Sequence, residues 1–507
     1  MTVVLMTGAT SARDDVNAWK NIDWVKAEEH VYRLQMRIAK AVKDGRFGRV
    51  KALQWLLTKS HYAKLLAVKR VTESKGAKTP GIDGEILSCR KSKYQAIHSL
   101  NAKGYESSPL RRVLIPKRNG KTRALGIPTI RDRAMQALYL LALEPIAETT
   151  GDPNSYGFRR ERSAQDANHQ CWNVLSHQNR AQWILEADIK ACFDEISHDW
   201  LLQNIPMDKR VLQQWLKAGF MEGHCFHDTY AGVPQGGVIS PTLANMALDG
   251  LEQAIHNACR ETDKVNFVRY ADDFIVTAKS KEMLENKIKP VIEQFLAIRG
   301  LQLSQAKTTI THIEKGFNFL GFNIRKYNGK YLGKPTKESI KAITRKVKQI
   351  VVRGYGWSGA DLIKTLNPTI RGWANYYRCA VSKSAYSKID NEIYRLCMYW
   401  TMRKCSGNQR IKAVTRYFRR RNPITKRWIF SDTETRDKKK RVVSIVKMMD
   451  VKIQRHIKVK SSANIFDPTA REYFQKRALW KAEIRLRQRK HSQAIYAKMQ
   501  RNLQLDK

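Results

Sequence analysis

Paired cysteines are missing from this chain. Its 507 residues hold eight cysteines (Cys89, Cys171, Cys192, Cys225, Cys259, Cys379, Cys397 and Cys405), and no two stand as C-x-x-C. That excludes a disulfide scaffold or a thiolate zinc site as the organising principle and suits a reduced, cytoplasmic chain. Long apolar runs are missing too. No segment reaches the roughly 18 apolar residues that span a bilayer, so no membrane partner is expected. The opening MTVVLMTGATSARDD lacks the basic and apolar regions of a secretory leader. Acidic residues are scarce, 46 Asp+Glu against 93 Lys+Arg, a formal +47. What is plentiful is apolar and aromatic: 42% hydrophobic residues with 15 Phe, 12 Trp and 19 Tyr. Such a chain builds sizeable cores, and its length suggests about three domains.

The positive charge is unevenly spread. Residues 331–507 carry 44 Lys+Arg and 12 Asp+Glu, whereas residues 1–330 carry 49 and 34. A gradient of this kind implies a polyanion-binding surface. Aromatics among the basic residues (Trp373, Tyr376, Tyr377, Tyr417, Phe418, Trp428) suit nucleic acid better than lipid headgroups.

Periodicity predicts helices over 15–60, with a break at Asp44–Gly45, and a loop over 73–84. Between about 110 and 330, strands and helices alternate. Strands are predicted at 113–115, 124–128, 183–188, 267–270, 274–277, 320–324 and 331–332, and helices at 132–148, 243–259 and 281–299. Beyond Lys334 strand signals fade, and 340–352, 386–403 and 470–507 read as helical.

Two segments could carry chemistry. Phe267-Val-Arg-Tyr-Ala-Asp-Asp-Phe-Ile-Val276 reads as a β-hairpin with Asp272 and Asp273 at its tip. Adjacent carboxylates repel, and retaining both suggests a divalent cation between them; the blander reading is that Asp is a common turn residue. In Trp183-Ile-Leu-Glu-Ala-Asp188 an apolar run delivers Asp188 to the end of a buried strand, costly for a lone carboxylate unless it is paired or bound to a cation. Asp188, Asp272 and Asp273 could together hold two Mg²⁺ ions. Asp194 and Glu195 read as surface or capping residues.

Asp188-Ile-x-x-x-Phe193, Gly232-Val-Pro-Gln-Gly-Gly-Val-Ile-Ser-Pro241 and Tyr270-Ala-Asp-Asp273 together resemble reverse transcriptase motifs. Further blocks narrow the resemblance to group II intron-encoded reverse transcriptase–maturases. They are Val113-x-Ile-Pro-Lys-x-x-Gly-Lys-x-Arg-x-Leu-Gly-Ile-Pro128, Ser155-Tyr-Gly-Phe-Arg159, Phe319-Leu-Gly-Phe322 and Leu366-Asn-Pro-x-Ile-Arg-Gly-Trp-x-Asn-Tyr-Tyr377. The blocks follow the family's order across roughly residues 20–470. Two departures stand out. Arg160-Glu161 replaces a common Pro-Gly, and the tail from Phe474 has no cysteine and one histidine, so the family's HNH endonuclease domain is expected to be absent.

The resemblance implies an α+β right-hand polymerase. It would comprise an N-terminal helical extension (1–70), fingers and palm (71–335), an all-helical thumb and maturase domain (336–420) and a basic DNA-binding segment (421–507). It implies two Mg²⁺ ions on Asp188, Asp272, Asp273 and the Ile189 backbone carbonyl, and nucleotide binding by Lys117, Arg123, Phe193, Gln235 and Lys307. Phe193 would face the sugar's 2′ position and Lys307 the departing pyrophosphate. Arg159, Gly236, Arg371, Trp373 and Tyr376 would touch template, primer or intron RNA. The expected function is copying the intron RNA into DNA during retrohoming and assisting splicing. Expected partners are intron RNA, target DNA, primer, dNTPs and a second copy of the chain, in the cytoplasm at the nucleoid or in an organelle. The alternatives are a maturase acting only in splicing and a domesticated reverse transcriptase in repair or phage defence.

Overall fold

The computed structural model describes residues 12–116, 120, 122–177, 179–404, 409–420, 428–436, 439–484 and 486–487. The chain forms two units. The first comprises residues 1–163, 181–310 and 459–472, and the second 164–180, 311–458 and 473–507.

The first unit is built around the helix Ile130–Thr150, buried on nearly every side. Thr129 caps its start by accepting from the Asp132 amide. The helices Trp24–Lys43 and His61–Glu73 present regularly spaced apolar residues to it. Gln35 reaches in to donate to the Leu141 carbonyl at 2.8 Å. Two sheets accompany these helices, the last strand of the second running on to His312. One has strands β1 (Leu110–Pro116), β2 (Thr122–Ile127), β4 (Phe220–Glu222) and β5 (Cys225–His227), in the order β2-β1-β4-β5. The other has β3 (Trp183–Asp188), β6 (Asn266–Tyr270), β7 (Asp273–Ala278) and β8 (Thr309–His312), in the order β6-β7-β3-β8. Strand β3 has the bounds predicted for it, because an apolar run ending in a carboxylate leaves little choice of register. The helix predicted over 243–259 is two, Ser240–Leu248 and Leu251–Asn257, divided at Asp249–Gly250.

The second unit opens with β9 (Phe317–Phe319), β10 (Phe322–Tyr327) and β11 (Lys330–Pro335) in antiparallel order. The helices Lys337–Arg353, Gly359–Tyr377, Lys383–Lys404 and Gln409–Tyr417 follow. The fading of strand signals beyond Lys334 is corrected here. Strands β12 (Phe418–Arg420), β13 (Trp428–Arg436) and β14 (Lys439–Ser444) form a third antiparallel sheet. A boundary at 420/421 therefore cuts between two paired strands. The physical reason is aromatic: Phe418 and Phe430 are buried with Trp400 and Tyr417 in one ring cluster. Among the described residues no helix is long and apolar enough to cross a membrane.

Candidate active site

The three candidate carboxylates meet at one end of the β6-β7-β3 sheet. Antiparallel register sets Asp188 directly opposite Asp273, and Tyr270 opposite Asp273 on the other side. Only Ala271 and Asp272 make the turn between β6 and β7, and Ala271 has φ +58°. Such tight two-residue connections match the twist of the strands they join. Gly157 sits against this turn. A Cβ there would lie 2.4 Å from the Ala271 nitrogen, so no larger residue fits.

The electrostatics follow from crowding. Burial raises the Asp272 carboxyl above its usual range, and Asp188 pushes the same way. Asp273 is pushed up to about 7 by loss of solvent and by the charges of Asp272 and Asp188. Asp273 itself is exposed at the end of the sheet, between Tyr270 and Asp188 on the flanking strands. Lys307 donates from Nζ to Asp188 Oδ2 at 2.5 Å, and this bond holds its ammonium above the ordinary lysine range.

Lys307 is brought there by backbone pairing. The Lys190 amide donates to the Gln302 carbonyl at 2.9 Å and the Ser304 amide to the Asp188 carbonyl at 2.8 Å. Ile189 and Leu303 lie between these bonds as an antiparallel bridge, and neither bond uses the Ile189 carbonyl. Among the described residues no three or more His, Cys, Asp or Glu side chains form a ready-made metal cage. The site is instead an open cluster of mutually repelling carboxylates. That donor set suits Mg²⁺, which takes few protein ligands and completes its shell with water and substrate phosphates.

On the sheet's neighbour side, the Gly232–Gly237 loop closes over the turn that follows Asp188. The Val233 amide donates to the Phe193 carbonyl at 2.6 Å, and His198 Nε2 bonds the Gly232 carbonyl at 2.9 Å. Gln235 is fixed on both ends: Arg123 Nε donates to its Oε1 at 2.5 Å, and its Nε2 donates to both Asp194 oxygens at 3.1 Å. Asp194, read from sequence as a surface or capping residue, is thus the orienting group for Gln235. Gly236, at φ +130°, lets the loop touch β2: a Cβ there would lie 2.6 Å from the Gly126 carbonyl oxygen. Phe193 is 9% exposed, edge-on to Phe158 at 6.4 Å. It borders a cavity of about 280 Å³ also lined by Asp194, Gln235, Gly126, Trp215 and Tyr230. Lys117 lies outside the described residues.

Three residues expected at nucleic acid make contacts within the protein. Arg159 is buried: Nε and Nη2 each donate to a Glu148 carboxylate oxygen at 2.8 Å, and Nη1 to the Asp152 carbonyl. Its guanidinium is thus held by Glu148 and Asp152 inside the protein. Its neighbour Arg160 pairs with Glu144 at 2.9 Å. Tyr376 donates to the Leu320 carbonyl at 2.8 Å and stacks on Phe322, and Trp373 packs on Tyr377 at 4.4 Å. Trp373 also meets Tyr386 of the helix Lys383–Lys404 edge-on at 6.0 Å, so both rings fasten the helix Gly359–Tyr377 to neighbouring elements. Arg371 on the same helix is exposed.

Sequence reasoning missed the layer beneath the hairpin. Arg269, fully buried, bonds Asp249 and lies 3.7 Å from Asp152. Asp152 in turn accepts from the Gly250 amide at 2.9 Å, and Glu252 accepts from Asn154 Nδ2 at 2.6 Å. The available signal was an arginine inside an otherwise apolar strand, Phe267-Val-Arg-Tyr270, which demands buried acids nearby.

A hairpin carrying two carboxylates, a third on the adjacent strand, a bonded lysine and a glycine-rich loop thus stand together as one candidate site for nucleotidyl transfer. The known families agree in kind. "Reverse transcriptase (RNA-dependent DNA polymerase)" matches residues 115–324, "N-terminal domain of reverse transcriptase" residues 19–100, and "Group II intron, maturase-specific domain" residues 340–418. Protein YkfC of Escherichia coli is 34% identical over 329 residues, covering 56% of this chain and 85% of that protein. Group II intron-encoded protein LtrA of Lactococcus lactis is 29% identical over 413 residues, covering 62% and 68%. Maturase-like protein 1 of Euglena gracilis is 24% identical over 403 residues, covering 74% and 83%. The chain belongs to the group II intron-encoded reverse transcriptase–maturase family. It is an RNA-directed DNA polymerase with a maturase domain, and RNA is among its partners.

Proposed function

We propose that the protein copies its intron RNA into DNA by two-Mg²⁺ nucleotidyl transfer, assists splicing of that RNA, and so supports retrohoming into a DNA target. The observation that carries this reading is the convergence of Asp188, Asp272 and Asp273 at one open sheet end, with Lys307 bonded to the first. These carboxylates and the Ile189 carbonyl would hold the cations. When bound, they supply activation of the primer's 3′-hydroxyl and charge neutralisation on the departing pyrophosphate. Lys307 holds a proton beside Asp188, placed to serve as a general acid to that leaving group. Arg123 and Gln235 form the side of the site that receives the dNTP, with Lys117 assigned there on sequence alone. A guanidinium fork suits phosphate oxygens.

Phe193 is the sugar gate in this reading. Phe193→Val opens the space a ribose 2′-hydroxyl would need, and ribonucleotide use should rise about 10- to 100-fold relative to deoxynucleotide, the scale of one overpacked contact. Competitive incorporation on one template measures this. Equal loss of both activities together with an early melt would mark the ring as core only.

The test of the whole reading is primer extension on RNA and DNA templates by purified protein, run beside splicing of the flanking RNA. Splicing without extension would leave only the maturase function.

A further inference from the structure

Residues 459–472 lie far along the chain, yet they pack with residues 1–163 and 181–310 in the first unit. Specific contacts hold this strap. Phe466 is fully buried beside Tyr32, whose hydroxyl donates to the Ile465 carbonyl at 2.8 Å. Asn464 Nδ2 donates to Thr149 Oγ1 at 2.9 Å, and Lys43 pairs with Asp467.

Ahead of that anchor, Ser461 touches the segment supporting the catalytic hairpin. Its hydroxyl donates to Asn154 Oδ1 at 3.2 Å, and its carbonyl accepts from Arg162 Nη2 at 3.0 Å. Arg162 also approaches Glu148 at 3.4 Å and donates to the Pro153 carbonyl. The Asn154 carbonyl accepts the Arg269 amide at 3.0 Å, and the Tyr156 amide donates to the Arg269 carbonyl at 2.9 Å. Arg269 stands three residues before Asp272. Two hydrogen-bonded steps, Ser461 to Asn154 and Asn154 to Arg269, therefore join the strap to the strand that carries the carboxylates.

We propose that the strap 459–472 is a positioning element of the polymerase site, and that Ser461 sets the hairpin's placement through Asn154 and Arg162. Ser461, Asn154 and Arg162 act through the hairpin and are not catalytic residues. Their effect is on where Asp272 and Asp273 stand. One neutral hydrogen bond contributes little net stability, so losing it leaves the fold standing. Catalytic placement is less forgiving, because misplacement by about 1 Å, even from a distant change, costs up to about a hundredfold in rate.

The experiment uses full-length protein in steady-state extension on an RNA template. Ser461→Ala should lower kcat about tenfold, with the KM for dNTP and the melting temperature unchanged. Ser461→Thr keeps the hydroxyl and should restore kcat. Parental kcat in Ser461→Ala overturns the proposal. So does a kcat loss that merely tracks a lowered melting temperature, or one that Ser461→Thr does not repair. The inference rests on the catalytic reading of the hairpin, so Asp272→Asn belongs in the same series. If Asp272→Asn remains active, the catalytic reading fails. If it is inactive while Ser461→Ala is parental, only the strap inference fails.

Discussion

Asp272→Asn is expected to reduce primer extension by about a thousandfold or more while leaving RNA binding intact. The side chain keeps its shape, so the two-residue turn and the Gly157 contact persist. What disappears is one negative charge from a cluster of three. Charge stabilisation by bound cations supplies several kcal/mol to such reactions, and each 1.36 kcal/mol is about a factor of ten in rate. Asp188→Ala should act similarly and also release Lys307 from its bond. Parallel single-turnover extension and RNA-binding titrations provide the check. Extension at the parental rate by either variant would remove these residues from the catalytic role.

The second large effect is expected beneath the site. Arg269→Ala leaves Asp249 and Asp152 buried without their cation, and breaking a buried pair of this kind costs about 3–5 kcal/mol. Even with Arg269 present, burial pushes the Asp249 carboxyl up to about 6. Without the guanidinium it should rise further. A carboxyl with a folded pKa above its unfolded value binds more protons in the folded state. The variant's stability should therefore fall as pH rises from about 4 through the folded pKa, and should be greatest at the acidic end. Denaturant unfolding at pH 5 and pH 7.5 reads this directly. Combining Arg269→Met with Asp249→Asn should recover part of the loss, since it removes the charge instead of stranding it.

Legibility in the sequence divides along physical lines. The strand Trp183–Asp188 and the hairpin around Asp272 are legible because alternation, apolar runs and turn residues are local signals. The sheet at Phe418–Ser444 is not, because its strands are rich in Lys and Arg and are stabilised by distant rings, Trp400 above all. The candidate carboxylates can be picked out because paired acids at a turn are unusual. The Arg123–Gln235–Asp194 relay cannot, since it joins residues from three separate segments. Arg159, expected at nucleic acid from the resemblance alone, shows what local signals leave out. Its buried pairing with Glu148, eleven residues earlier, has no signature in the sequence around either residue.

The strap also has a consequence for synthesis. The chain crosses between its two units five times, and residues 459–472 complete the first unit only after 311–458 have been made. At translation rates of about 5–20 residues per second, those roughly 150 residues take about 7–30 s. Throughout that interval the nascent first unit presents an unfilled seat where Phe466, Asn464 and Ser461 will later dock. The polymerase half of this protein thus cannot mature on the ribosome in the order it is encoded. Its final closure waits for residues 459–472.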